Sequence, residues 1–377
     1  MNNSKTTFIS SVTRSLRNSI TAVTVGAGAV TLAPAALAAD FAGDRIEMVM
    51  PFKEGGGSDT WGRFYAPKVA EQLPGSPVMV VRNIPGGGST SGANQFQLRA
   101  KPDGQDVLAS SASTMFPYIL GDSRVRYDYK DWAAVLASPT GGVVYVSADL
   151  GIDSVADIAK LKGKDLKFAS QGATSMDLVT LLALDLLDMD VKAVFGMKGR
   201  GEGRLAFERG EVNIDAQTTS AFIKKVQPLI DEGKAIPLFS YGVLGKDGKI
   251  KRDPNFPNLP DFVEAYEMVH GQLPDSDAFR AWKTFFIAGY AAQKGLFLPK
   301  GTPDDVVKAY SEAVANVIAK PEFASESEDV LGNYEQAVGS DAQMMFAEAL
   351  KIDKAARTWV INWLNSEYSA GLKLSSN

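Results

Sequence analysis

The fold prediction starts from one stretch, Pro51-Phe52-Lys53-Glu54-Gly55-Gly56-Gly57-Ser58-Asp59. The apolar run from Ile46 to Met50 leads directly into this stretch, and a segment with helical spacing of apolar residues follows it. This order predicts a strand, a loop with little side-chain bulk and the start of a helix. Because the first N–H groups of a helix have no partner inside it, such a loop can hold an anion.

Similar loops recur at the predicted ends of other strands. A second glycine loop, Asn83 to Thr90, follows the apolar run Val78 to Val81, and polar loops at 111–114, 171–175 and 217–220 follow later runs. Short strands that alternate with helices predict α/β domains with mainly parallel sheets. In open α/β sheets, ligands bind beyond the carboxyl ends of the strands. A lone triple glycine is more often only a tight turn, but the repetition favours a binding site.

The candidate ligand-binding residues come from these loops. Ser58, Asp59 and Thr60 are expected to include the cap of the first helix. Asp59 should order its loop, because its carboxylate would repel an anion in direct contact. Gln217 and Thr218 are candidates for the far end of the ligand, whereas the small hydroxyl residues could either bind ligand oxygens or cap helices. The full candidate set is Phe52, Gly56, Gly57, Ser58, Asp59, Gly87, Gly88, Ser111, Ser113, Gln171, Thr174, Ser175, Gln217 and Thr218.

The composition excludes several functions. The 377 residues contain no cysteine, which excludes thiol catalysis, disulfides and zinc–thiolate sites. The single histidine, His270, excludes a multi-histidine metal site and is interpreted as structural. No catalytic residue, metal or cofactor is predicted. The predicted signal carries three of the 39 basic residues and none of the 44 acids, so the mature chain has a formal charge of 36 − 44, or about −8. This charge disfavours nucleic acid and anionic membranes as partners.

The basic residues Lys198, Arg200 and Arg204 form a cluster beside three glycines. Each side chain is expected to be solvated, because charged residues in a glycine-rich loop usually face water. As a group they could steer an anion toward a cleft.

The N-terminus has the pattern of an export signal. Lys5, Arg14 and Arg17 give it a basic start, and the run from Ile20 to Leu37 is apolar and rich in small residues. Ala36-Leu37-Ala38 matches a cleavage pattern, so residues 1–38 are predicted to be a signal peptide that is cut after Ala38. A retained helix is the alternative. The mature chain is expected to be soluble in the periplasm.

The mature chain is expected to form two lobes. Residues 39–137 are predicted to begin the first lobe, and 138–241 to form the second. Residues 242–377 should contain the return connection, the rest of the first lobe and C-terminal helices. Two crossings between lobes make a hinge, and the cleft between them is a common ligand site.

Several short motifs carry a family resemblance. Besides the two glycine loops, they are Lys101-Pro102-Asp103-Gly104, Lys198-Gly199, Arg209-Gly210-Glu211-Val212, Leu259-Pro260-Asp261 and Pro299-Lys300-Gly301-Thr302-Pro303. In their order and spacing, the mature chain resembles the periplasmic substrate-binding proteins of tripartite tricarboxylate transporters, the Bug or TctC-like family. The resemblance implies a two-lobed, type II-like periplasmic-binding-protein fold with its ligand cleft between the lobes.

The same resemblance implies a function. A small organic carboxylate would be held chiefly by main-chain amides and small hydroxyl residues of the first lobe. The loaded protein, a monomer, would deliver it to the subunits of a membrane transporter.

The chain departs from the family pattern in ways that leave the rest of the ligand open. Ile84 replaces a frequent Arg, Asn213 replaces a usual Asp, and the loop from Gln171 to Ser175 lacks a glycine pair. The stretch from Gln272 to Lys294 is longer than the corresponding link. Two alternatives to a transport receptor stay open: an exported hydrolase based on Ser or Asp, and a periplasmic partner that presents its ligand to a signalling receptor.

Overall fold

The computed structural model describes residues 39–245 and 247–373, so the predicted signal peptide, residues 1–38, lies outside the described part of the chain. Within that part, the strands form two large sheets and one short hairpin. The strands are β1 (Arg45–Met50), β2 (Val78–Asn83), β3 (Asp106–Ser111), β4 (Ala133–Ser138), β5 (Gly142–Ser147), β6 (Leu166–Ser170), β7 (Val191–Phe195), β8 (Ile214–Thr218), β9 (Ala235–Ser240), β10 (Val243–Leu244), β11 (Ile250–Lys251), β12 (Lys294–Leu298) and β13 (Ala337–Val338).

Helices connect most of these strands. They are α1 (Gly57–Gln72), α2 (Thr90–Arg99), α3 (Ala112–Leu120), α4 (Asp177–Leu186), α5 (Arg200–Glu208), α6 (Thr219–Ala221), α7 (Gln227–Asp231), α8 (Phe262–His270), α9 (Asp277–Ala291), α10 (Asp304–Ala319), α11 (Phe323–Leu331), α12 (Ser340–Ala349) and α13 (Lys354–Tyr368). A π-helical segment, Phe222–Val226, joins α6 to α7. Over the described ranges, no helix combines the length and the apolar character that a membrane span requires.

The first sheet has the strand order β13-β4-β12-β3-β1-β2. Strand β1 is parallel to β2 and β3, whereas β12 runs antiparallel to both β3 and β4. The amino end of β12 therefore lies at the same edge as the carboxyl ends of β3 and β4. At this edge, Lys294 is the register partner of Ser111 on one side and of Ser138 on the other.

The second sheet has the order β7-β6-β8-β5-β9. Strand β6 is parallel to β7 and β8, and β5 is antiparallel to β8 and β9. The prediction of mainly parallel sheets is therefore wrong, because each sheet also takes in strands of opposite direction where the chain crosses between the sheets. The first sheet draws its strands from residues 45–138 and 294–338, and the second from residues 142–240. The exact lobe boundaries stay a prediction.

Helix α9 packs against both halves of the molecule. Phe285 of α9 meets Phe116 of α3 edge to face, with 5.1 Å between ring centroids. Trp282 of α9 donates its indole N–H to the carbonyl of Val179 in α4 at 3.2 Å. These residues belong to one continuous apolar core that includes strands of both sheets. The stretch from Gln272 to Lys294, whose role the sequence left open, therefore joins the two halves.

Candidate ligand-binding site

The first glycine loop ends in a helix that no side chain caps. The N-cap of α1 is Gly56, so the expectation that Ser58, Asp59 or Thr60 caps this helix is wrong. Within residues 39–245 and 247–373, no group accepts a hydrogen bond from the N–H of Gly57 or Ser58. These N–H groups carry the partial positive charge of the helix end, so they are open to an anion.

Asp59 orders the first glycine loop, as expected. Its buried carboxylate accepts the N–H of Gly55 at 2.9 Å and the side-chain amide of Asn83 at 2.9 Å. It also pairs with Arg63 at 3.1 Å, one helical turn along. These partners account for the carboxylate, so Asp59 contributes loop geometry and adds little uncompensated negative charge.

The second glycine loop has a backbone that requires glycine. Gly86, Gly87 and Gly88 have φ angles of 129°, 60° and 67°, which side chains strongly disfavour. A Cβ atom added at Gly88 would lie 3.5 Å from the carbonyl oxygen of Gln171 in the second half. This loop therefore brings bare backbone close to the opposite sheet.

Ser111 and Ser113 lie at the carboxyl end of β3. Ser111 caps α3 by accepting the N–H of Ser113 at 3.2 Å. The hydroxyl oxygen of Ser113 accepts the N–H of Met176 at 3.2 Å and the side-chain amide of Gln171 at 3.3 Å. Ser113 thus links the two halves directly at the cleft.

The second-half loop from Gln171 to Ser175 is held from within. The N–H of Gln171 donates to Asp177 at 2.7 Å, and Ser175 donates to the carbonyl of Gly172 at 2.7 Å. Thr174 donates to Asp122 of the first half at 2.8 Å. Helix α4 begins at Asp177, two residues beyond Ser175, whose hydroxyl accepts the N–H of Asp177 at 3.2 Å.

Arg200 is a buried structural cation, which corrects the expectation that it is solvated. Its side chain is only 11% exposed and forms ion pairs with Asp177 and Asp215. It also donates to the carbonyls of Ala169 at 2.6 Å and Ala216 at 3.0 Å. Burial opposes its charge, but the two aspartates outweigh burial, and the pKa of Arg200 lies above the ordinary arginine value. One cation and two acids leave this cluster with a formal excess of negative charge.

Arg204 and Lys198, the other two members of the predicted basic cluster, differ from each other in exposure. Arg204 is 12% exposed and pairs with Glu208 one turn along α5. Lys198 is exposed, and its carbonyl accepts the N–H of Lys53 from the first half at 3.1 Å. Only the expectation for Lys198 agrees with the structure.

Gln217, Thr218 and Ser220 lie at the carboxyl end of β8. The side-chain amide of Gln217 donates to Asp215 at 2.8 Å and to the carbonyl of Arg200 at 2.9 Å. Its amide oxygen and the hydroxyl of Ser220 are buried without a hydrogen-bond partner in the described chain. A Cβ atom added at Gly57 would lie 2.5 Å from Thr218 Oγ1, so the two halves touch here across a glycine.

Gln293 is a functional candidate that the sequence did not indicate. It directly precedes β12, is 2% exposed, and its amide oxygen has no partner among the described residues. Its side-chain amide lies 3.3 Å from the sulfur of Met176, which belongs to the second half. Its position at the cleft follows from the antiparallel direction of β12, which no local sequence signal shows.

These groups enclose a small cavity, called the cleft cavity below, of about 30 Å³. As closed in this structure, its volume is enough for about one or two water molecules. The predicted residues that line it are Phe52, Gly56, Gly57, Ser58, Ser111, Ser113, Gln171 and Thr218. The lining residues that the sequence analysis did not select are Lys53, Met176, Gly199, Arg200 and Gln293.

A second, larger pocket opens beside the cleft cavity and is called the mouth pocket. Its volume is about 500 Å³, within the usual range for ligand sites, and it shares Gln171 with the cleft cavity. It also contains Gly87, Gly88 and Thr174 of the predicted set, with Arg124. The guanidinium of Arg124 is already paired with Asp122 at 2.5 Å. Of the predicted residues, Asp59, Ser175 and Gln217 line neither pocket.

Other surface features do not form a comparable site. The groove of about 980 Å³ between α9 and α13 is larger than either cleft pocket, but its polar groups are mostly exposed side chains such as Asp277 and Lys354. His270 bonds through Nε2 to the carbonyl of Leu186 at 2.9 Å and lines neither cleft pocket. Within the residues that the structure describes, no group of acidic and histidine side chains could hold a metal ion.

Two sheets joined by crossings, with an uncapped helix end facing a cavity between their loops, define a two-lobed solute-binding protein of the periplasmic type. The family model for the tripartite tricarboxylate transporter family receptor matches residues 62–356. The chain belongs to this family.

Individual relatives agree with this assignment. A UPF0065 protein from the tcbD-tcbE intergenic region of Pseudomonas sp. (strain P51) is 26% identical over 283 residues, which is 74% of each chain. The solved periplasmic binding protein BugD superposes with a TM-score of 0.65 at 20% identity, covering 87% of this chain and 98% of BugD. MatC from Rhodopseudomonas palustris, solved with bound malate, gives a TM-score of 0.63 at 21% identity, covering 84% and 99%. Structures this distant establish the fold.

Proposed function

We propose that this protein is an extracytoplasmic receptor that binds a small organic carboxylate and delivers it to a membrane transporter of the tripartite tricarboxylate type. The observation that carries the proposal is the uncapped N-terminus of α1, where the N–H groups of Gly57 and Ser58 face the cleft cavity. A helix end of this kind favours a negative charge. The malate in the neighbour MatC is consistent with such a ligand.

The two pockets suggest how a carboxylate would fit. One carboxylate group suits the cleft cavity, where the helix end meets the hydroxyls of Ser58 and Ser111. The remaining atoms of a longer ligand would extend past Gln171 into the mouth pocket. The bond between Ser113 and Gln171 closes this route, so we expect it to break when a longer ligand enters. The chemistry required is capture and release, with no bond made or broken in the ligand.

The same proposal extends to the compartment, the oligomeric state and the partner of the protein. The protein is expected to act in the periplasm as a monomer after removal of residues 1–38. Its loaded, closed form would be the one that the transporter subunits recognise. Deletion of the gene in the source organism should then reduce uptake of the bound carboxylate, and a copy lacking Gly57 N–H access should not restore it.

Isothermal titration of the mature protein against mono-, di- and tricarboxylates tests the proposal. At least one carboxylate should bind, while its uncharged amide analogue should bind much more weakly, because the helix end recognises negative charge. Binding of a neutral sugar or a cation with no response to any carboxylate would refute the proposal. Recovery of the ligand unchanged after incubation is the matching control against turnover.

A further inference from the structure

One buried cation at the cleft has no acidic partner. Lys294 opens β12 and is 3% exposed. Throughout residues 39–245 and 247–373, its ammonium group has neither a hydrogen bond nor an ion pair. A lysine is almost never fully buried unless it is paired.

The sheet register locates this side chain. Lys294 is aligned with Ser111 of β3, whose side chain lines the cleft cavity, and with Ser138 of β4. Because side chains alternate along a strand, Lys294 shares a face with Leu296 and Leu298, which pack in the core beneath α1. Cross-strand neighbours stand about 5 Å apart at Cβ, so the side chain of Lys294 begins beside Ser111, behind the lining of the cleft cavity and not in it. The preceding residue, Gln293, lines the cleft cavity itself.

The charged groups around this position are committed elsewhere. On α1, Asp59 pairs with Arg63, and Tyr65 bonds to Gln336. Beside Gly141, between β4 and β5, the carboxylate of Asp253 accepts a hydrogen bond from Tyr334. Strands β3 and β4 place no ionisable side chain beside Lys294, and burial alone lowers the pKa of Lys294 to about 7.

Arg200, the other buried cation at the cleft, cannot serve a ligand in the same way. Its guanidinium already meets Asp177 and Asp215, and the resulting cluster has excess negative charge. Lys53, the other basic residue that lines the cleft cavity besides Arg200, pairs with Glu202 at 3.4 Å. Of the two buried cations, Arg200 and Lys294, the uncompensated one lies on the side of the first sheet.

We propose that Lys294 supplies the positive charge that balances the bound carboxylate, so that ligand capture is coupled to protonation of this side chain. The inference rests on the proposed function and names the group that recognises the anion. A nearby negative charge favours the charged form of a lysine. The bound state should therefore raise the pKa of Lys294, and binding above about pH 7 should take up a proton.

The direction of the pH dependence follows from these two states. Below the pKa of the free protein, Lys294 is charged before and after binding, so affinity should be constant. Between the pKa values of the free and bound states, affinity should fall by up to about tenfold for each pH unit. Above the bound value, the dependence should end.

Calorimetry with malate and adipate as probes tests the proposal on three forms of the mature chain: wild type, Lys294→Met and Lys300→Met. Lys300 is the matched control, because it is 71% exposed and pairs with Asp131. Titrations near pH 8 in phosphate and in Tris measure proton uptake through the different ionisation enthalpies of the buffers. Wild type and Lys300→Met should take up protons and bind equally. Lys294→Met should take up none and lose at least about tenfold in affinity near pH 6.5.

The outcomes separate this inference from the proposed function. If wild type binds neither probe nor any other carboxylate, the proposed function fails and the role of Lys294 falls with it. If wild type binds without proton uptake and Lys294→Met binds equally well, only the role of Lys294 is refuted. Should Lys294→Met fail to fold, the ¹³Cε resonance of Lys294 in wild type decides, because its titration must move to higher pH when probe is added.

Discussion

The two edges that face the cleft carry opposite kinds of buried cation. Beside the second sheet, Arg200 of α5 pairs with Asp177 and Asp215, and its hydrogen bonds are made within the protein. In the first sheet, Lys294 is the register partner of Ser111, and no acid pairs with it among the described residues. Arg200 holds together the loops at the edge of the second sheet, whereas Lys294 has no counter-charge among the described residues. The comparison teaches that burial of a basic residue at a cleft does not by itself indicate ligand binding.

Removal of Arg200 should give the largest effect on stability. Arg200→Met leaves Asp177 and Asp215 buried without their cation, which should lower the free energy of unfolding by about 3–5 kcal/mol. Chemical denaturation at neutral pH measures this loss. Arg209→Met is the control, because its pair with Glu211 is on the surface and should contribute little to stability. Equal effects of both changes would contradict the structural role of Arg200.

Removal of Lys294 should change stability in the opposite direction. Its pKa of about 7 lies below the unfolded value near 10.4, so the folded protein binds fewer protons than the unfolded chain between these values. The stability of wild type should therefore rise with pH from about 7 to 10. Lys294→Met should be more stable than wild type by up to about 4 kcal/mol at pH 6, with the advantage fading at higher pH. Denaturation curves without ligand check this, and a destabilised variant at pH 6 would count against an unpaired lysine.

A side chain at Gly57 should weaken binding by a smaller amount. The new Cβ atom in Gly57→Ala would meet Thr218 Oγ1 at 2.5 Å, so the two halves could not approach as they do here. Overpacking of this size costs about 1–3 kcal/mol, or roughly 5–150-fold in affinity. Titration with the best carboxylate measures the loss. The double variant Gly57→Ala with Thr218→Ala should regain part of it, and no recovery would show that the clash is not the cause.

The smallest expected effect concerns the bond between the halves at Ser113. Ser113→Ala removes the acceptor for Met176 N–H and for Gln171, which should change affinity by about 0.5–1.5 kcal/mol. The sign distinguishes two uses of this bond. Weaker binding means that Ser113 stabilises the closed, loaded state, and tighter binding means that it closes the route to the mouth pocket. An unchanged affinity would contradict both.

The sequence predicted the glycine loops well because their signal is local. Consecutive glycines directly after an apolar run predict a loop at the end of a strand without reference to distant residues. In the structure, Gly56, Gly57 and Ser58 of this loop line the cleft cavity. The exact start of helix α1 is harder to predict, because Ser58, Asp59 and Thr60 are all residue types that commonly cap helices. The structure uses Gly56 instead, and Asp59 turns toward Gly55 and Arg63.

The missed residues depend on contacts between distant parts of the chain. Arg200 was interpreted as solvated because glycines surround it in sequence, yet Asp177 and Asp215 reach it from other elements. Gln293 and Lys294 reach the cleft only because β12 enters the first sheet in the antiparallel direction. Nothing in the residues around them indicates that direction. Closure of the cleft on ligand is expected to reduce the radius of gyration in solution scattering, and the packing of α9 against both halves restricts how large the change can be.

The position of β12 affects how the chain acquires its activity. This strand separates β3 from β4, and within the described chain β4 joins β1, β2 and β3 only through it. A nascent or proteolysed chain that ends before residue 294 would contain both glycine loops and still have a divided sheet. Closing this gap joins residues almost two hundred positions apart, a late and slow event in folding. Carboxylate affinity would then report that synthesis and maturation are complete, and partial products should not compete with the finished receptor for cargo.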